Sequence, residues 1–107
     1  MKKYLIALMF VPAMAQAEFM SGNKLLNDLQ SANVIDRMVG MGYVQGVMDA
    51  HTRALYCPPN GITAGQVTDM ARKYLEENPA IRHFAADGIL SQLFKPMWPC
   101  PKRGTAI

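Results

Sequence analysis

Cysteines, histidines and aspartates are the side chains of this sequence that could do chemistry, and the two cysteines, Cys57 and Cys100, come first. In an oxidising compartment an even cysteine count predicts a disulfide, and two cysteines allow one intramolecular pairing. That bond would stabilise the fold by about 4 kcal/mol on the chain-entropy model. Two alternatives stay open. One is a nucleophilic thiol near His51 or His83. The other is a Cys2His2 metal site that uses all four residues, although their spacings match no known zinc module.

The sequence gives little indication that an aspartate assists either histidine in proton transfer. Asp49 and His51 lie two positions apart on a predicted helix, so they point away from each other and cannot share a proton. Asp87 lies one helical turn after His83 and could orient its imidazole, but an ordinary surface pair explains that spacing equally well. The sequence shows no nucleophile with its base, no paired carboxylates and no metal cluster. We therefore expect no enzymatic activity, no bound metal and no cofactor.

The N-terminus has the layout of a secretory signal peptide. A positive start precedes an apolar run over 4–14, and a small-x-small cleavage site ends at Ala17. We predict that residues 1–17 are a signal peptide, cleaved before Glu18, and that the mature protein is periplasmic. The apolar run has about 11 residues, too few for a bilayer that needs roughly 20. No stable membrane anchor is therefore expected after processing.

Removal of the predicted signal peptide lowers the net charge of the chain. The full chain has 11 Lys and Arg against 8 Asp and Glu, a net charge of +3. Lys2 and Lys3 leave with the predicted signal peptide, so the mature chain carries nine basic and eight acidic residues, a net charge of +1. The remaining basic residues are scattered along the sequence, whereas a nucleic-acid binder concentrates them in a patch. We expect no nucleic-acid partner.

The elements that must position these side chains have the pattern of helices. Apolar residues recur every three to four positions in four segments, and no segment alternates with a period of two. The predicted helices span residues 23–30, 34–56, 63–77 and 79–94. We therefore predict an all-α fold, a small bundle of about four helices with one disulfide, in a single domain over residues 18–100. Residues 101–107 are expected to form a loose C-terminal tail.

The second predicted helix is the longest. It is expected to bury a run of residues at helical spacing: Met38, Met41, Val44 or Gln45, Val47 and Met48. Gly42 and Gly46 lie one turn apart on it and predict a smooth groove where another helix can come close.

The third and fourth predicted helices follow a proline-rich loop. Thr63 and Gln66 form a capping box at the start of the third helix. Its buried face is expected to comprise Val67, Met70, Ala71, Tyr74 and Leu75. The fourth helix is expected to bury Ile81, Ala85, Gly88, Ile89, Gln92 and Leu93. Residues 95–100 are then expected to form a proline-stiffened tail.

Six short motifs, in order along the mature chain, resemble those of one protein family. They are Gly22-Asn23-x-Leu25-Leu26, Gly42-Tyr43-Val44-x-Gly46-Val47-x-Asp49-Ala50, Cys57-Pro58-x-x-Gly61-Ile62-Thr63-x-Gly65-Gln66, Tyr74-Leu75-x-x-Asn78-Pro79-x-x-Arg82-His83, Ala85-Ala86 and Trp98-Pro99-Cys100. The series is similar to the Rap/Tai-type immunity proteins, which protect bacteria against peptidoglycan amidases delivered by type VI secretion.

The resemblance implies an exported, all-helical, disulfide-bonded protein that binds a toxin in the periplasm, often as a homodimer. Family members commonly carry a further cysteine pair, whose positions in this chain are Leu29 and Gly40. Both halves of that pair are missing together, as the loss of a whole disulfide would leave them. The resemblance therefore supports pairing Cys57 with Cys100.

The leading hypothesis is a periplasmic immunity protein that binds a peptidoglycan amidase effector and blocks access to its active site. The contacting edge is expected in one of two places: Arg82, His83 and Asp87, or the loop of Pro58, Pro59 and Asn60. The alternative hypothesis is a small periplasmic chaperone or envelope-stress binding protein of the same fold. It would hold its clients through exposed methionine and aromatic side chains.

Overall fold

Four α-helices account for most of residues 19–102, the part of the chain that the computed structural model describes. In chain order they are α1 (Gly22–Gln30), α2 (Val34–His51), α3 (Ala64–Glu77) and α4 (Ala86–Met97), with a 3₁₀ turn at Pro79–Ile81. Isolated bridges are the only β-type pairs within these residues, so the predicted all-α class is confirmed. In the same residues, no helix has the length and hydropathy needed to cross a membrane.

The predicted signal peptide, residues 1–17, and its cleavage site at Ala17 and Glu18 lie outside the described residues, as do residues 103–107 of the predicted tail. Pro101 and Lys102 are exposed. The domain boundaries at residues 18 and 101 therefore stay predictions.

The N-terminus of α1 is held by the connection between the 3₁₀ turn and α4. Ser21 caps the helix through its hydroxyl, which accepts a backbone N–H at 3.1 Å. The N–H groups of Gly22 and Asn23 donate to the carbonyls of Phe84 and Arg82 at 2.9 and 2.8 Å. A Cβ on Gly22 would lie 2.9 Å from the Arg82 carbonyl oxygen, so this approach requires glycine.

The same bonds explain why the first half of the predicted helix over 79–94 is wrong. Residues 82–85 leave the helical path because two of their carbonyls bond to α1 instead of to the next turn. The Ala86 N–H then donates to the Met20 carbonyl at 2.8 Å, which ties the start of α4 to the same place. A backbone contact between distant parts of the sequence thus divides one predicted helix into two elements.

The register of α4 also differs from the predicted one. Ala86, Ile89, Leu90 and Phe94 are buried, whereas three residues of the predicted stripe are exposed: Ala85, Gly88 and Gln92. The helix continues to Met97 with Pro96 inside it, so it includes the first half of the predicted tail.

α2 ends before the predicted boundary at Tyr56. The Thr52 hydroxyl donates to the carbonyl four residues earlier at 2.6 Å, and Arg53 then adopts a left-handed conformation with a φ of 73°. This reversal returns Tyr56 to the core, where its ring lies 5.4 Å from that of Phe94. Burial of such a ring contributes about 2–3 kcal/mol, which outweighs the roughly 1–2 kcal/mol cost of a left-handed residue.

The buried face of α2 is also only partly the predicted one. Val44, Val47 and Met48 lie in the core, but Met38 is 65% exposed and Met41 is 40% exposed. Gly42 and Gly46 are open as well, since a Cβ on either would meet nothing within 4 Å. The predicted groove is present, and no described part of the chain fills it.

The core joins all four helices and the turn after α2. Its buried members are Leu25, Leu26, Leu29, Val44, Val47, Met48, Tyr56, Val67, Ala71, Leu75, Ala86, Ile89, Leu90 and Phe94. The α3 prediction is confirmed: the Thr63–Gln66 capping box forms, and Met70 and Tyr74 pack at the margin of the core.

α1 and α2 meet closely at Gly40. A Cβ on this glycine would lie 2.8 Å from Leu29 Cδ2 and 3.2 Å from Leu29 Cγ, so the leucine occupies the space that a side chain would take. These are the two positions at which the family resemblance places a second cysteine pair. An apolar contact therefore stands where that disulfide would be.

Replacing both residues by cysteine, L29C with G40C, should create a second disulfide. A sulfur at the Leu29 Cγ position would lie 3.2 Å from the new Cβ, close to the roughly 3 Å that disulfide geometry sets between a sulfur and the opposite Cβ. We expect the oxidised double variant to be roughly 2–3 kcal/mol more stable than its reduced form, the contribution of a disulfide that closes this short loop. Non-reducing mass spectrometry and urea unfolding measure the two effects.

The single variant L29C is the control for this experiment. It should be less stable than the wild type, because it loses a buried side chain and gains no bond. Two free thiols in the double variant would show that α1 and α2 do not meet as described.

Candidate binding surface

Cys57 and Cys100 form a disulfide bond, as predicted, and neither remains a thiol. The alternatives of a cysteine nucleophile and of a Cys2His2 metal site are therefore wrong, because both need a free thiolate. The Cys57 N–H also donates to the Trp98 carbonyl at 2.8 Å, beside the disulfide. Within residues 19–102, no three His, Cys, Asp or Glu side chains are grouped so that they could hold a metal ion.

The predicted contact loop begins directly after this link. Pro58 is half-buried, while Pro59 and Asn60 are exposed. Gly61 ends the loop with a φ of 88°, a left-handed conformation that glycine adopts without strain. The disulfide and the two prolines restrict the backbone, so the loop is an exposed feature with little conformational freedom to lose.

Arg82 mainly supports the fold. Its Nη1 donates to the Leu75 carbonyl at 3.3 Å, in the last turn of α3, where a cation faces the negative end of the helix dipole. Its Nε is buried without a hydrogen-bond partner in the described part of the chain. Because replacing Arg82 removes this side-chain bond to α3, it would alter the fold as well as the surface.

His83, Phe84 and Asp87, which we call the α4 edge, are exposed. The rings of His83 and Phe84 lie 4.0 Å apart, and Phe84 borders a groove of about 410 Å³ along α4. The predicted helical pairing of His83 with Asp87 is wrong, because residues 82–85 are not helical. Sequence analysis did not identify Phe84. The signal was that this aromatic residue lies outside the buried face predicted for the fourth helix.

A second groove, of about 420 Å³, lies between α2 and the start of α4. It is lined by Tyr43, Gly46, Val47, Ala50, His51 and Asp87. Burial, and then the negative charge of Asp87, raise the pKa of Tyr43 above its ordinary 10.0, while a hydrogen bond with the Asp87 backbone opposes the increase. The Tyr43 hydroxyl therefore lies against the first turn of α4, a helix that has no side-chain cap of its own.

The first half of α2 presents a broad apolar surface that sequence analysis did not place. Its side chains are between 40% and 66% exposed: Val34, Ile35, Met38, Val39 and Met41. The signal in the sequence was a helix whose apolar residues are spread around most of its circumference, which is typical of an element covered on more than one face.

Comparison with known proteins places this fold in a family. The family model of Rap1a immunity proteins matches residues 21–100 of the chain. No curated protein sequence matches it significantly. The matched range contains all four helices, both cysteines and every residue of the α4 edge.

Arg82→Ala should lower the free energy of unfolding by about 1–3 kcal/mol, because it removes the side-chain bond to the Leu75 carbonyl and leaves that group only the long 3.4 Å bond from the Asn78 N–H. His83→Ala, at the adjacent exposed position, should change it by less than about 0.5 kcal/mol. Urea unfolding followed by circular dichroism measures both. Equal effects of the two substitutions would contradict the structural role of Arg82.

Asp87→Asn should lower the pKa of Tyr43, because it removes a negative charge that opposes ionisation. Part of the increase should remain, since burial is the larger cause. The neutral phenol is favoured by the fold, so the contribution of Tyr43 to stability is complete below pH 10.0 and is lost as the pH rises through the folded-state pKa.

Ultraviolet absorbance titration, with Tyr43→Phe as the blank, isolates this phenol. Asp49→Asn removes a carboxylate elsewhere on the exposed side of α2 and should leave the titration unchanged. If Asp87→Asn leaves the pKa of Tyr43 unchanged, the charge of Asp87 does not act on this phenol.

Proposed function

Because the chain belongs to the Rap1a immunity protein family, we propose that it is a periplasmic immunity protein that binds and sterically inhibits a secreted peptidoglycan amidase. The match of the family model over residues 21–100 carries the proposal. The amidase target, delivery by type VI secretion and the periplasmic site of action rest on the resemblance of the sequence motifs. Inhibition occurs by occlusion of the active site, and the chain catalyses no reaction itself.

The α4 edge is the contact surface that the geometry favours. Its side chains are exposed, while backbone bonds from residues 82–86 to the start of α1 fix its position. A surface that is ordered before binding loses less conformational entropy in the complex. Aromatic and charged side chains at the centre of such a surface commonly dominate the binding energy. The loop of residues 58–60 is the second contact in this proposal.

A second candidate function is favoured by the exposed apolar side chains of α2. A small periplasmic chaperone or envelope-stress binding protein would use such a surface to hold unfolded clients. The two functions differ in stoichiometry and in their dependence on the α4 edge, so one set of measurements separates them.

The deciding measurement is the affinity of the purified protein for the product of the adjacent gene, with the amidase activity of that product followed in parallel. Binding at a fixed stoichiometry with loss of activity supports the immunity function. Binding of several unfolded proteins, without inhibition of an amidase, supports the chaperone function.

His83→Ala combined with Asp87→Ala should raise the Kd for the amidase at least tenfold, about 1.4 kcal/mol, and should restore amidase activity at equal protein concentrations. The fold should persist because both side chains are exposed. Asp69→Ala, on the exposed side of α3, is the matched control and should inhibit like the wild type. If the double variant inhibits as well as the wild type, the α4 edge is not the contact.

A further inference from the structure

The groove between α2 and the start of α4 is bordered by the carboxylate of Asp87. This residue lies in the first turn of α4, where the helix dipole stabilises a negative charge. Its side chain is exposed, and no ion pair within residues 19–102 includes it. The groove therefore presents an anion to a molecule outside the chain.

Tyr43 lines the same groove close to this carboxylate. The negative charge of Asp87 raises the pKa of Tyr43, so the two side chains are near each other. The hydrogen bond with the Asp87 backbone lowers that pKa, which identifies the phenol oxygen as the acceptor of the backbone N–H. This bond holds the half-buried ring of Tyr43 in place. An aromatic ring fixed beside a carboxylate is an arrangement that binds cations.

The floor of the groove is apolar and has no side chain at its centre. Gly46, Val47 and Ala50 line it from α2. They follow Tyr43 by one and two helical turns, so these residues share one face of the helix. A Cβ on Gly46 would meet nothing within 4 Å, and the volume of about 420 Å³ is typical of pockets that hold a small organic molecule. An aliphatic chain can therefore lie along α2 with its polar end at Asp87.

We propose that this groove binds an arginine side chain of the partner protein, with the guanidinium against Asp87 and Tyr43 and the methylene groups over Gly46. A long basic side chain buries its aliphatic part on apolar surface while its charged end reaches a polar group. The charge of the arginine complements that of the groove.

The chemistry of the groove favours arginine over lysine. A guanidinium is planar, donates two parallel hydrogen bonds to a carboxylate and stacks on an aromatic ring, whereas an ammonium is a compact and strongly hydrated charge. Asp87 supplies the carboxylate and Tyr43 supplies the ring. The identity of the partner as an amidase rests on the proposed function, while the preference of the groove for arginine does not.

Nuclear magnetic resonance titration of the purified protein, in the form that the expressing cell leaves after processing, tests the groove without an amidase. N-acetyl-arginine methylamide should shift the amide signals of Gly46, Ala50 and Asp87 in a saturable way, with a Kd on the order of 10 mM for a single side chain. The citrulline analogue has a similar shape without the charge, and the lysine analogue has the charge without the planar group. Both should bind roughly fivefold more weakly or less well still.

Two variants should abolish the saturable shifts. Asp87→Asn removes the charge and keeps the shape, and Gly46→Leu fills the floor of the groove without meeting its own chain. Asp49→Asn, which removes another exposed carboxylate, and Gly42→Leu, which adds the same side chain one turn earlier on α2, are the matched controls. Both controls should bind the arginine compound like the wild type.

A double-mutant cycle with the amidase identifies the arginine of the partner. Each exposed arginine of the amidase is replaced by glutamine, and the Kd is measured with the wild type and with Asp87→Asn. For the contacting arginine, either substitution alone should raise the Kd by roughly tenfold, and the two together should raise it little further, because both remove the same contact. Independent effects for every arginine would overturn the proposal.

The outcomes separate the groove from the proposed function. If the arginine compound binds as described and no amidase is inhibited, the preference of the groove is supported and the proposed function fails. If the wild type, Asp87→Asn and Gly46→Leu inhibit an amidase equally, the proposed function is supported and the groove proposal fails.

Three further results would overturn the groove proposal. One is equal binding of the arginine and citrulline compounds, or no saturable binding of either. Another is a change in the Gly46 and Ala50 signals with protein concentration alone, which would place a second copy of the chain in the groove. The third is binding that begins only in the variant Arg103→Gln, which would place an arginine of the chain itself there.

Discussion

The rest of the fold depends on the backbone bonds that join the start of α1 to residues 82–86. A short helix is marginal by itself and leaves its first N–H groups without partners. The hydroxyl of Ser21 and the carbonyls of Arg82 and Phe84 accept from three of these groups. The same carbonyls leave the helical path, which decides where α4 begins and leaves the adjacent side chains at the surface. One set of bonds therefore stabilises the first helix and forms the candidate contact edge.

Local signals in the sequence were sufficient where an element is determined by its own residues. The capping box at Thr63 predicted the start of α3 and its buried face, and an even cysteine count predicted the disulfide. The predictions failed where contacts with residues distant in the sequence determine the ends of a helix. The helix predicted from residue 79 is interrupted by bonds to α1. α2 stops early because Tyr56 packs against Phe94, and neither contact is visible in a local pattern.

The candidate site could be predicted only in part for the same reason. His83 and Asp87 are exposed as a contact edge requires, but Arg82, next to them in the sequence, supports α3. The exposed apolar side chains of α2 were not predicted as a surface, because the apolar residues of this helix are spread around most of its circumference and do not reveal which face is covered. The packing of Leu29 of α1 over Gly40 decides which face of α2 is covered. This packing is visible only in the tertiary structure.

The left-handed conformation of Arg53 has a consequence for protein engineering. With a φ of 73°, this residue holds a conformation that asparagine and glycine adopt at lower cost. The side chain is exposed and lies in a turn, so a change there does not touch the core, the disulfide or the α4 edge. Position 53 is therefore a site where thermostability could be increased by asparagine while every recognition surface is preserved. Such a variant would be a more tolerant background for substitutions elsewhere in this small domain.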